Sequence, residues 1–267
     1  MSQEAIIYAL LLTLFAGLAT GVGSLIAFVA KQTNKMLLAF SLGLSAGVMI
    51  YVSFVELFTG ANESLQSFYG EGRGERYCVL AFFIGIAIIA VIDQLIPSYE
   101  NPHEARLVED INNKPKEDPH LRRMGLFTAL AIGVHNFPEG IATFATALED
   151  PSLGLAIAIA IAIHNIPEGI AVSIPIYFAT GSRKQAFWWS LMSGLAEPIG
   201  GLLAFAILMP YINEHTLGLI LSAVAGIMVY ISVDELLPSA RKYGNAHISI
   251  LGFVIGMAVM AVSLVMI

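Results

Sequence analysis

The sequence predicts an all-α integral membrane protein, with eight transmembrane helices in a 3+2+3 arrangement. Three observations carry that expectation. Of 267 residues, 57% are hydrophobic and only 12% charged, against roughly 25% charged in a typical soluble domain. Long windows hold no Asp, Glu, Lys or Arg: Ala5 to Ala30, Met36 to Val55 and Ile248 to Ile267. Each reaches the roughly 20 residues that a helix needs to cross a bilayer. The third observation is an internal repeat that pairs the two ends of the chain.

The expected spans lie at about 5–30, 36–58, 77–97, 123–148, 153–180, 186–209, 216–238 and 246–267. Spans 1, 2 and 8 rest on the charge-free windows. The first apolar run lacks a basic leading region and is long for a cleaved signal, so it is expected to stay as a span. A soluble buried helix would explain any one window but not the set, because too little polar sequence remains to cover such a core. Connections are short except 98–122, a polar stretch with Pro102, Pro115 and Pro119. One membrane domain over 1–267, without an added soluble module, is expected. The net charge of −7 comes with no basic tract, so no nucleic-acid partner is expected. The single cysteine, Cys78, excludes an internal disulfide framework.

Orientation follows from Lys and Arg. Alternating the eight spans places Lys31, Lys35, Arg106, Lys114, Lys116, Arg122, Arg123, Arg183, Lys184, Arg241 and Lys242 on one side, and only Arg73 and Arg76 on the other. The rich side is cytoplasmic, which leaves both termini outside a plasma membrane (a bacterial inner membrane).

The repeat supports spans 6 and 7. GLATGVGSLIAF (Gly17 to Phe28) resembles GLAEPIGGLLAF (Gly194 to Phe205), and GVMIYVSFVEL (Gly47 to Leu57) resembles GIMVYISVDEL (Gly226 to Leu236). Spans 1–2 thus match spans 6–7, and span 3 is expected to match span 8. The matched units run in opposite directions. Inverted repeats of this kind are a signature of secondary transporters, whose site lies near mid-membrane at the repeat interface. Spans 4 and 5 carry their own repeat, HNFPEG (His135 to Gly140) and HNIPEG (His164 to Gly169).

That second repeat puts polar groups where they are costly. A charged side chain at a helix centre costs about 2.5–3.5 kcal/mol on insertion scales. His135 and Glu139, His164 and Glu168, and Glu197 fall near the middle of spans 4, 5 and 6. No Lys or Arg lies at that depth, so the three carboxylates are either protonated or hold a cation. His and Glu at i and i+4 share a helix face, with Asn136 and Asn165 three residues before each Glu. Imidazole and carboxylate suit zinc and neighbouring divalent ions. Pro138 and Pro167 free the carbonyls of Val134 and Ile163 and allow a kink. A lone buried histidine is more often a hydrogen-bonded helix contact; the duplication and the third glutamate favour the metal. One divalent ion against three Glu leaves −1 and two leave +1, so a two-metal site fits without being required.

Met49, Ser53 and Glu56 fall at i, i+4 and i+7 on span 2, and Met228, Ser232 and Glu235 repeat them on span 7. Glu56 is expected near the outer mouth, and Asp93, Asp234 and Glu235 near the inner one, where carboxylates concentrate cations. A carboxylate near a span end is also an ordinary solvated residue. His103 and His120 are too dispersed for a histidine-rich metal tract.

At HNFPEG and HNIPEG the chain resembles the ZIP (Zrt/Irt-like) metal transporters, most closely their bacterial ZupT-like branch. The resemblance covers nearly the whole chain. It implies uptake of divalent metal, chiefly zinc, and a binuclear centre between spans 4, 5 and 6. His135, Glu139, His164 and Glu168 would form one metal position. Asn136, Asn165 and Glu197, with bridging Glu139 and Glu168, would form the second. Some members have Gln-Asp where this chain has His164 and Asn165. Many eukaryotic members carry a histidine-rich span 3–4 loop, which is absent here.

The expected substrate is Zn(2+), with Fe(2+), Mn(2+), Co(2+) and Cd(2+) handled by the same mixed donors. No catalytic cofactor is expected. The partners are the metal ions and the lipid bilayer, and a homodimer stays open. An intramembrane metalloenzyme is the alternative, but H-E-x-x-H and paired E-x-x-H are both missing. A passive channel would need the same ligands as a carrier.

Overall fold

The computed structural model describes residues 3–29, 35–95, 133, 136–208, 213–243 and 246–265. Among these, every regular element is helical. Helices α1 (Gln3–Val29), α2 (Lys35–Val52), α3 (Thr59–Tyr69) and α4 (Arg73–Leu95) precede α5, which covers residues 136–149. They are followed by α6 (Pro151–Thr180), α7 (Arg183–Gly194), α8 (Ala196–Leu203), α9 (Glu214–Ile231), α10 (Leu237–Tyr243) and α11 (Ala246–Val265). Six described stretches are long and apolar enough to cross a bilayer: Gln3–Ile26, Ala39–Tyr69, Arg73–Gln94, Pro151–Ile170, His215–Arg241 and Ala246–Val265.

These match expected spans 1, 2, 3, 5, 7 and 8. Of span 4, only Gly133 and α5 are described; the 98–122 connection with His103 and His120 lies outside the described residues. Span 6 differs from the uniform helix expected over 186–209. It breaks at Leu195 between α7 and α8 and closes in a π-helical turn, Ala204–Leu208. Pro198 explains the break, since it has no N–H to offer the carbonyl of Gly194 one turn back. Span 2 runs further than expected, through a π-helical turn (Ser53–Phe58) into α3. A second such turn, Ser232–Leu236, joins α9 to α10. The matched serines Ser53 and Ser232 open these two turns.

Local chemistry sets the helix ends. Asp150 caps α6, accepting from the backbone N–H of Ser152 at 2.8 Å and of Leu153 at 3.1 Å, with Pro151 in the first turn. Gly181 closes α6 in the left-handed region (φ 66°), where a side chain would be strained. Asn213 and Thr216 form a reciprocal cap on α9.

Large apolar side chains point outward, among them Leu11 and Phe15 of α1 and Leu80, Phe83 and Val91 of α4. Inside, small residues let helices meet backbone to backbone. A Cβ on Gly17 would overlap the carbonyl of Gly194, and one on Gly194 the carbonyl of Gly17. These are repeat partners touching each other. The carbonyl of Gly194 is the one that Pro198 leaves without a helical donor.

The other contacts come in matched pairs. Gly47 sits against the carbonyl of Phe253 as Gly226 sits against that of Phe82, and Gly256 against Leu44 as Gly85 against Ala223. Leu44 and Ala223 each precede the matched glycines by three residues. So α2 lies on α11 as α9 lies on α4. Around the doubled motif, Gly169 meets the carbonyl of Thr20 as Gly140 meets that of Glu197, and Gly23 meets Ile166 as Gly200 meets Phe137. So α6 lies on α1 as α5 lies on α8. Helices α1 and α5 to α8 form one group, α2 to α4 and α9 to α11 a second; α2 touches α6 between them.

Gly226→Val should lower the melting temperature of the detergent-solubilised protein, because overpacking costs about 1–3 kcal/mol or more at a backbone contact. Gly60 in α3 has open space around it, so Gly60→Ala should be neutral or stabilising. Equal melting of both variants would show that the close approach does not matter.

Candidate metal centre

The described polar residues of the doubled motif are buried, as is Glu197. Asn136, His164, Asn165 and Glu197 are 0% exposed, Glu139 1% and Glu168 3%. His164 and Glu168 lie one turn apart on α6, and Glu139 approaches from α5. Nε2 of His164 stands 3.2 Å from Oε2 of Glu139 and 3.9 Å from Oε1 of Glu168. One imidazole nitrogen is thus set between two carboxylates from two helices.

Pro167 lies inside α6 without ending it. Gly140 and Gly169 then let α5 and α6 close on α8 and α1, which fixes Glu139 and the His164/Glu168 pair against those neighbours. Ser190 of α7 reinforces this by donating to the carbonyls of Thr20 and Gly169, both at 3.2 Å.

The asparagines tie the motif helices to their neighbours. Asn165 donates through Nδ2 to the carbonyl of Ala16 at 2.9 Å and to Oε1 of Glu197. Asn136 donates to the carbonyl of Ser193 at 3.5 Å. Oε2 of Glu197 and Oδ1 of Asn165 have no hydrogen-bond partner among the described residues. These are buried oxygen lone pairs, where an unmet acceptor is costly.

No Lys or Arg is buried among the described residues. Glu139, Glu168 and Glu197 therefore share one low-dielectric region with no described basic side chain buried beside them apart from His164. Two or more carboxylates in such a place cannot all ionise without a cation. The donor set is imidazole nitrogen, carboxylate and carboxamide oxygen, which suits divalent transition ions. Among the described residues, no three His, Cys, Asp or Glu side chains converge at metal-ligand spacing. His135, the fourth motif ligand expected from the sequence, lies outside the described residues.

The residues expected along a path divide by depth. Met49, Ser53, Met228 and Ser232 are buried. Glu56, Glu235 and Asp93 are half-buried and Asp234 is exposed. Ser232 returns its hydroxyl to the carbonyl of Met228 at 2.8 Å, whereas Oγ of Ser53 has no partner among the described residues. Because both serines open π-helical turns, the α-helical register that would place Glu56 and Glu235 on the same stripe does not continue past them.

Two contacts escaped the sequence reading: the acids around Glu56, and Tyr230 beside the acids already expected at the inner mouth. Glu56 lies within electrostatic reach of Glu149, Asp150 and Glu63, which gather acidic groups at one end of the helices. At the other end, Tyr230 is hydrogen-bonded with Asp234 and feels Asp93 and Glu235. The signal for the first was the pair Glu149-Asp150 before Pro151, which reads as an ordinary helix cap.

Positions 94–264 match the family described as ZIP Zinc transporter. The chain is 61% identical over 266 residues to the zinc transporter ZupT of Oceanobacillus iheyensis, covering 99% of each chain. It is 56% identical to the ZupT of Clostridium perfringens, over 99% of this chain and 98% of that one. It is 58% identical to the ZupT of Streptococcus mutans, over 100% and 99% respectively.

Asn165→Leu keeps most of the side-chain volume and removes the donor to Glu197 and Ala16. We expect a loss of about 1–3 kcal/mol, the cost of leaving buried acceptors unmet, read as a lower melting temperature without added ligand. An unchanged melting curve would mean that this bond does not hold α6 to α1 and α8.

Proposed function

The chain belongs to the ZIP zinc transporter family, and from that membership we propose that it carries zinc and similar divalent ions across the plasma membrane into the cytoplasm through the buried His/Asn/Glu centre. It is a metal-ion transporter rather than an enzyme. The observation that carries the site assignment is the group of three buried carboxylates, Glu139, Glu168 and Glu197, with His164 set between the first two.

In this reading His135, Glu139, His164 and Glu168 take one ion. Asn136, Asn165 and Glu197 take a second, with Glu139 and Glu168 bridging. The charge balance allows two: a single divalent ion leaves −1 on the three carboxylates, and two leave +1. The ligands replace the water that an ion loses on entering a low-dielectric site. Asn165 holds Glu197 in place, and Asn136 anchors α5 to α7, so the centre is pre-shaped before the ion arrives. Fe(2+), Mn(2+), Co(2+) and Cd(2+) are substrates of the same centre, because mixed nitrogen and oxygen donors discriminate weakly among these ions.

Direction is inferred from charge. Eight spans with both termini outside put the Lys- and Arg-rich segments in the cytoplasm. Glu56, Glu63, Glu149 and Asp150 then face outward and draw cations in. Asp93, Asp234 and Glu235 stand at the cytoplasmic exit. Alternating access follows from the inverted 3+2+3 repeat. The group of α1 and α5 to α8, which carries every central ligand, moves against the group of α2 to α4 and α9 to α11. The whole chain acts as one membrane domain.

Radioactive zinc uptake into proteoliposomes tests the reading. Wild type should take up zinc with saturation and show counter-flow exchange. Glu139→Ala, Glu168→Ala and the His135→Ala, His164→Ala double variant should lose uptake by at least tenfold while still inserting. Normal uptake by either glutamate variant would remove the central site. Glu56→Ala should raise the half-saturating concentration severalfold and leave the maximal rate near wild type, as expected for a group that only concentrates the ion. An unchanged concentration dependence would demote Glu56 to a surface residue.

A further inference from the structure

Thr20 and Glu197 occupy matched positions. Each stands fourth in its repeat, GLATGVGSLIAF and GLAEPIGGLLAF. In the fold the backbone approaches match. Gly17 and Gly194 pack on each other. The carbonyl of Thr20 receives Gly169 as the carbonyl of Glu197 receives Gly140. The carboxamides follow the same rule. Asn165 donates to Ala16 and Asn136 to Ser193, and both acceptors directly precede the paired glycines. The operation that carries Asn165 onto Asn136 therefore carries Glu197 onto Thr20.

Thr20 is 0% exposed, and its Oγ1 has no hydrogen-bond partner among the described residues. Thr13 on the same helix turns its hydroxyl back to the carbonyl of Leu10 at 2.9 Å. Thr20 does not. Its Oγ1 faces Gly194, where a Cβ would lie 2.7 Å from it. The neighbouring carbonyl, that of Ser193, is the one that accepts from Asn136. The hydroxyl and the carboxamide thus address the same turn of α7 from two helices. A buried hydroxyl with no protein partner is costly unless something else uses its lone pairs.

We propose that the Thr20 hydroxyl is a further oxygen ligand of the transported ion, on the Asn136 side of the centre, the neutral counterpart of Glu197. This rests on the central-site reading above. The chemistry of the difference is informative. A hydroxyl contributes a lone pair without a charge. A glutamate at position 20 would make four carboxylates and neutralise two divalent ions completely. With threonine the doubly loaded centre keeps one net positive charge, so the second ion binds less firmly and leaves more readily. A pathway needs sites weak enough to release what they bind.

The test uses the full chain in detergent and in proteoliposomes, with zinc as the probe. Thr20→Val keeps the shape and removes the hydroxyl; Thr20→Ser keeps the hydroxyl and removes the methyl. Calorimetric zinc binding should weaken roughly tenfold in Thr20→Val, the lower end of what losing a supporting ligand costs, and remain at wild-type strength in Thr20→Ser. The half-saturating concentration for uptake should move in parallel, with the maximal rate little changed. If Thr20→Val is not recovered folded, Thr20→Ala makes the same comparison. Wild-type binding by the hydroxyl-free variant would overturn the proposal. Equal weakening by both substitutions would overturn it too, because only packing would then be at work. A wild-type protein that binds zinc but shows no uptake would instead sink the transport reading and leave the binding comparison intact.

Discussion

Three carboxylates buried at one depth are the constraint around which this molecule is arranged. In a low-dielectric interior, like charges a few ångströms apart repel strongly, and no Lys or Arg is buried among the described residues to offset Glu139, Glu168 and Glu197. The protein answers with directional bonds. The imidazole of His164 is placed between two of the carboxylates, and the carboxamide of Asn165 is committed to the third. Oε2 of Glu197 and Oδ1 of Asn165 keep lone pairs with no partner among the described residues. A buried polar group that is only partly satisfied weakens a fold, so these groups cost stability in their own right and set the demands that the surrounding helices meet.

Holding those groups at fixed depth requires helices that cannot slide, and this explains the glycines. Gly140 and Gly169 remove the side chain just after each motif glutamate, so α5 and α6 contact the backbone of α8 and α1 directly. Backbone-to-backbone seams have little tolerance for register change. Pro198 serves the same end by a different route. It frees the carbonyl of Gly194, breaks the helix at Leu195 and lets Gly17 approach. The break sits two residues before Glu197, so the helix carrying the third carboxylate begins next to it.

Much of this could be read in the sequence because it was written twice. The HNxPEG pair, the matched glycine-rich segments and the charge-free windows made the helical class legible, told which spans repeat one another, and singled out the polar residues of the motif. The parts that could not be read involve long-range contacts or departures from ideal helix geometry. Pro198 stood in plain view, but a proline one turn into a helix and a proline that breaks one look alike without knowing what packs against the freed carbonyl. The π-helical turns at Ser53 and Ser232 add a residue to a turn without any residue type that demands it. The acidic grouping of Glu56 with Glu149 and Asp150 joins segments nearly a hundred positions apart, each unremarkable alone. His135 was legible as a motif residue, and its side chain falls outside the described residues.

The paired seams also differ in grip. Where α4 meets α9, Ser222 donates to the carbonyl of Cys78 at 2.7 Å, and the Cys78 thiol lies 3.4 Å from the Ser222 hydroxyl. At the matching point of the other seam, α2 presents Gly43 to the carbonyl of Ser249, so shape complementarity stands where a hydrogen bond of about 0.5–1.5 kcal/mol stands opposite. Both seams lie inside the group of α2 to α4 and α9 to α11, which is therefore alike in outline on its two sides and bonded more firmly on one. One seam is thus held by fit alone, so a changed side chain there is felt as shape, and a changed side chain opposite is felt as a lost bond.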